Sequence, residues 1–89
     1  MITSASNKSI KNVQALLSKA KERKKQGVFV VEGPKMSFEA PYDWVSAVYM
    51  SESFFNDDRF KEEKKRFIDK TEIVSDPVFK SMSDTQTPQ

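Results

Sequence analysis

The stretch Gly27-Val28-Phe29-Val30-Val31-Glu32-Gly33 decides how the rest of the chain is read. Four apolar residues, three of them β-branched, run without a polar interruption between two glycines. That pattern predicts a strand buried on both faces, as in a parallel sheet covered by helices, rather than a strand with one wet face. Upstream, Ile10, Val13, Leu16, Leu17 and Ala20 fall on one stripe at helical spacing, predicting a helix over residues 8–25. Ser6 or Asn7 is positioned to cap that helix, and Gly27 to stop it. Downstream, Pro34 opens a short helix over 35–40. A second strand is expected over 44–50, a helix over 57–69, a third strand over 71–75, and a last helix opened by Asp76-Pro77 and reaching Met82. Strands alternating with helices define an α/β domain, a layered sandwich with a small, mostly parallel sheet.

At 89 residues and 10.2 kDa the chain is one small domain. A domain of this size buries only about 60–65% of its unfolded surface, so its core is thin. Hydrophobic residues at 37% and charged residues at 31% suit a folded domain rather than a disordered chain. Cysteine and histidine are both absent. This excludes disulfide frameworks, thiolate zinc sites and His- or Cys-based nucleophile pairs. The longest apolar run, Val28 to Val31, falls far short of the ~20 residues of a membrane span. With no secretory signal pattern either, a reducing cytoplasm is the expected location.

Net charge is informative only when divided. Residues 1–27 hold seven cations and one anion, a local charge of +6, whereas residues 28–89 hold eight cations and twelve anions, a charge of −4. A basic edge on an acidic body suggests a polyanionic partner at one end. The plainer reading is a solvated helix rich in lysine.

Catalytic groupings are sparse. The only glycines are Gly27 and Gly33, so the chain has neither a glycine-rich phosphate loop nor a dinucleotide fingerprint. Asp57/Asp58 and Glu62/Glu63 are neighbours in sequence and diverge on a helix, so they read as a cap and a solvated face. Glu52, Asp57 and Asp58 lack calcium-loop spacing. Glu32, at the end of the apolar run, reads as a paired or orienting carboxylate meeting Arg23 or Lys24. Tyr42, Trp44, Tyr49, Phe54 and Phe55 are stacking platforms for bases if exposed and core if buried. In a chain with only two leucines, core is the expected role.

Thr3-Ser4-Ala5-Ser6-Asn7-Lys8, Lys11 and Arg23-Lys24-Lys25 form the most suggestive constellation. Short polar side chains before a helix, free N–H groups and nearby lysines make a phosphate-binding edge. The same residues are also an ordinary N-cap with exposed lysines.

Taken in order, Ile2-Thr3-Ser4, Asn7, Ile10-Lys11, Leu16-Leu17, Arg23 and Gly27-Val28-Phe29-Val30-Val31-Glu32-Gly33 resemble the opening of the SpoU (TrmH) family of RNA ribose methyltransferases. Residues 75–89 also resemble that family's substrate-binding domain. The resemblance implies an α/β/α fold similar to kink-turn-binding ribosomal proteins and a role in RNA binding. It also implies a parent protein, usually a homodimer, whose separate knotted domain binds S-adenosylmethionine and methylates a ribose 2′-hydroxyl. Ser4, Asn7, Lys8, Lys11 and Arg23 match the pattern's polar positions and are the expected RNA contacts. Glu32 and Gly33 match its strand-end pair, with a structural or orienting role. Neither a catalytic residue nor a metal ligand is expected in this chain.

The expected organisation is an RNA substrate-binding domain over 1–82 and a polar hinge over 83–89 leading toward a last strand and a methyltransferase domain. The partner expected on this reading is ribosomal or transfer RNA. The alternative is a protein-interaction or dimerisation module whose lysines only solubilise it.

Overall fold

The computed structural model describes residues 1–83. Helices α1 (Lys8–Ser18), α2 (Ala20–Gln26) and α3 (Pro34–Glu39) precede strand β1 (Val48–Ser51). Helices α4 (Glu52–Asn56) and α5 (Lys61–Arg66) then lead to strand β2 (Thr71–Val74) and helix α6 (Asp76–Ser83), with 3-10 turns at Tyr42–Trp44 and Ile68–Lys70. β1 and β2 run parallel, with Val48 opposite Thr71 and Ser51 opposite Val74. Ile2 forms a parallel bridge to Val74 on the other edge of β2. Its N–H donates to Ile73 O (2.8 Å), and its carbonyl accepts from Ser75 N–H (2.9 Å).

The alternation of side chains along a strand sends neighbours to opposite faces, and here each face has its own core. Tyr49 and Val74 meet Ile10 and Val13 of α1 and Val78 and Met82 of α6. Val48 and Met50 meet Phe38 of α3, Phe54 and Phe55 of α4 and Phe67 beyond α5. Helices thus cover both faces of the small parallel sheet, as the alternation of elements predicts. On the second face Phe38 lies 5.4 Å from Phe60 and 5.9 Å from Phe67 between ring centroids, an aromatic cluster that supplies much of this thin core.

Several expectations are corrected. Residues 28–32 form no strand: Phe29 is 77% exposed and Val31 is exposed. A β-branched apolar run favours extended backbone, but a strand exists only where a neighbour takes its hydrogen bonds, and among the described residues the sheet consists of β1, β2 and the Ile2 bridge. The single helix expected over 8–25 is two helices, broken at Lys19 (φ −126°, ψ 109°). Trp44, expected in the core, stands 82% exposed on a 3-10 turn. The helix expected over 57–69 is the shorter α5, and α4 was not anticipated. The Asp76 carboxylate accepts from Ser53 N–H (3.1 Å) and Ser53 Oγ, satisfying a first-turn donor of α4. The proposed hinge over 83–89 lies outside the described residues, except Ser83, which ends α6.

Candidate nucleic-acid interface

The basic edge is a helical hairpin. Asn7 caps α1, its Oδ1 accepting from Ser9 N–H at 2.8 Å. At the other end, Ser18 Oγ donates to Gln14 O (2.8 Å), a bond that competes with the helix ladder just where it breaks. Arg23 then donates from Nη1 to Leu16 O (2.6 Å) and Leu17 O (3.2 Å), carbonyls left without partners at the end of α1. Gln26 donates to Asn12 Oδ1 at 2.9 Å and to Glu22 at 3.2 Å. The Asn12–Gln26 pair folds the end of α2 back beside the first half of α1. Gly27, at φ 70°, closes α2 in the left-handed region.

This geometry sorts the predicted contacts. Ser4, Asn7, Lys8 and Lys11 stand together and exposed around the start of α1. Ser4 Oγ lies 2.7 Å from Ser6 Oγ and accepts from Ser6 N–H at 3.2 Å. Lys8 and Lys11 have no carboxylate partner among the described residues, and the first turn of α1 contains no acidic residue. Two ammonium groups therefore sit at the positive end of a helix dipole, an arrangement that costs stability and favours an anion nearby. Arg23 is different: it is half-buried, and its guanidinium is taken by the carbonyls of Leu16 and Leu17 rather than by Glu32. Gly33, at φ 91°, is the N-cap residue of α3, with Pro34 behind it, and Glu32 is exposed just before it.

A second cationic feature escaped sequence reading. Lys64 is buried, and its ammonium donates to Phe54 O, to Asp57 O (3.0 Å) and to Asp57 Oδ1 (2.9 Å), 4.3 Å from the centre of the Phe54 ring. Arg59 closes on the same carboxylate at 2.7 Å. The Arg59 guanidinium, and after it the Lys64 ammonium, hold the Asp57 carboxyl well below the usual range. Asp57 is thus committed to two cations, and the described residues contain no acidic cluster able to hold a metal ion. Beside this turn an open groove of about 280 Å³ is lined by Phe55, Asp57, Lys61, Lys64, Lys65 and Ile68. The sequence signal for it was weak: lysines at i and i+4 on α5, with an isoleucine three residues on, look like any solvated helix.

Both glycines cap helices, Gly27 closing α2 and Gly33 opening α3. No helix of the described residues is long and apolar enough to cross a membrane.

The molecule is a small α/β/α domain whose first helix opens on lysines without carboxylate partners among the described residues. The chain belongs to the family of MRM3-like substrate-binding domains, from rRNA methyltransferases, whose model matches residues 7–89. Comparison with curated proteins and with solved structures returns no match.

Proposed function

We propose that the chain is the RNA-recognition domain of an S-adenosylmethionine-dependent ribose 2′-O-methyltransferase of the SpoU (TrmH) type, acting on ribosomal or transfer RNA. The family match over residues 7–89 carries the reading. Ser4, Asn7, Lys8 and Lys11 contact phosphates at the start of α1. Arg23 supports that edge by holding α2 against α1. The cofactor and the methyl transfer belong to a separate domain of the parent protein, a homodimer of the cytoplasm.

The test is filter binding of ribosomal and transfer RNA fragments across a salt series. Affinity is expected to fall as salt rises, because each neutralised phosphate releases counterions. A flat salt response, or unchanged binding by the Lys8→Glu/Lys11→Glu variant, overturns the phosphate contacts.

The exposure of Phe29 and Trp44, two large aromatic side chains, favours the second reading, a protein-interaction or dimerisation module. Mass in solution, measured with and without RNA, separates the two. A dimer that forms without RNA, in a chain that ignores RNA, supports the second.

A further inference from the structure

The groove beside α5 combines two properties that surface lysines on a solvated helix do not share. It has an apolar part, Phe55 and Ile68, with Ile68 52% exposed. Phe55 packs at its base on the aromatic core, and the bonds of Lys64 to Phe54 O and Asp57 fix the turn that carries it. Its charge is also unbalanced. Asp57, the carboxylate in the lining, is already neutralised by Arg59 and Lys64. Lys65 has no carboxylate partner among the described residues, and Lys61 has only the exposed Asp58 at 3.6 Å. Lys61 and Lys65 lie one turn apart on α5, so like charges face each other beside an apolar surface. A volume of about 280 Å³ is at the small end for ligand sites. It suits one planar ring with an attached anion.

We infer that this groove takes one unpaired nucleotide of the bound RNA, its base against Phe55 and Ile68 and its phosphate between Lys61 and Lys65. The inference rests on the RNA-binding reading above and adds a second contact, remote in sequence from the α1 edge. An unpaired base presents the flat face that Phe55 can stack on, whereas a base in a duplex is covered by its neighbours. The charge of the groove selects a polyanion, and the aromatic surface selects one that carries rings.

The experiment uses the whole chain with short oligouridine, the duplex form of the same length, and an acidic peptide containing Glu and Phe. Binding is followed by salt-dependent affinity and by the NMR signals of Phe55 and Ile68. The Lys61→Ala/Lys65→Ala variant removes two exposed side chains and is expected to fold as before, which circular dichroism checks. It is expected to lower the salt slope for oligouridine by about 0.7, the value for one phosphate contact in a single strand. Phe55→Leu is expected to weaken single-strand binding about 10-fold. Shifts at Phe55 and Ile68 with oligouridine, smaller ones with duplex and none with the peptide, support the proposal. Unchanged binding and slope in the double-lysine variant overturn the groove and leave the RNA reading standing. Shifts with the peptide but not with oligouridine overturn it in favour of a protein partner. Failure of the unaltered chain to bind any RNA overturns both.

Discussion

Arg23 donates to the main-chain carbonyl of Leu16 at 2.6 Å, closing the end of α1 with a side chain from α2. A residue expected to contact RNA thus also fastens the end of α1. Replacing Arg23 by Ala is expected to cost about 1–2 kcal/mol, since a charged donor is lost from half-buried carbonyls. The melting temperature should fall by several degrees while the salt slope of RNA binding stays the same. A reduced slope at unchanged stability would instead make Arg23 a direct phosphate contact.

Lys8 and Lys11 give the opposite signature. Glutamates there would face the positive end of the α1 dipole, a change worth about 0.3–1 kcal/mol in favour of folding near the first turn. The Lys8→Glu/Lys11→Glu variant should melt at the same temperature or a few degrees higher, yet bind RNA less tightly and with a shallower salt dependence. Thermal melts beside filter binding read both effects. Few substitutions lower function and raise stability together, and that pairing marks residues kept for a ligand rather than for the fold.

Gly27 sits at φ 70° with nothing within 4 Å of where a Cβ would stand. The cost of Gly27→Ala is then conformational alone, about 1 kcal/mol. For a domain of this size that corresponds to about 4–8 °C in melting temperature. Gly27→Asn, which tolerates the left-handed region better, should recover part of the loss.

Asp57 is ionised in the folded chain to unusually low pH because Arg59, and then Lys64, hold its carboxylate. A carboxylate depressed by folding stabilises the protein above its unfolded pKa, about 3.9 for Asp, and that stability drains away as pH falls through the lower, folded value. Urea unfolding of the wild type should therefore weaken steadily below about pH 4. Asp57→Asn should be less stable at neutral pH, with Lys64 left buried beside an uncharged partner, and should lose less on acidification.

Much of the fold was legible because its signals are local. The stripe of Ile10, Val13 and Leu16 is buried as the helical period requires. Thr71–Val74 is a strand, and Asp76-Pro77 opens α6. The misreadings share one cause: the deciding contact lies far away in sequence or is missing. Val28–Val31 has strand composition but no strand partner among the described residues: Val28 N–H donates to Arg23 O (3.1 Å) and Val31 O accepts from Ser37 Oγ (3.3 Å). Trp44 has the size of a core residue, but the 3-10 turn is held by Lys70, whose ammonium reaches Tyr42 O and Val45 O (2.7 Å each) from 28 and 25 residues away, leaving the indole outside. α4 is only five residues long and draws a capping contact from Asp76. Of the candidate site, the start of α1 could be read from short polar residues before a lysine-bearing helix. The groove could not, because Lys64 looks like any other lysine until its burial is seen.

The hairpin of α1 and α2 is closed by contacts spanning only 7 and 14 residues, Arg23 to Leu16 and Gln26 to Asn12, whereas Asp76 reaches Ser53 across 23. Its second arm has no buried residue. The arm can therefore swing open while the sheet and both cores stay intact, a sub-global opening far cheaper than unfolding the molecule. Amide protons of α2 should exchange with solvent well before those of β2. The hairpin is thus a hinged arm mounted on a rigid sheet.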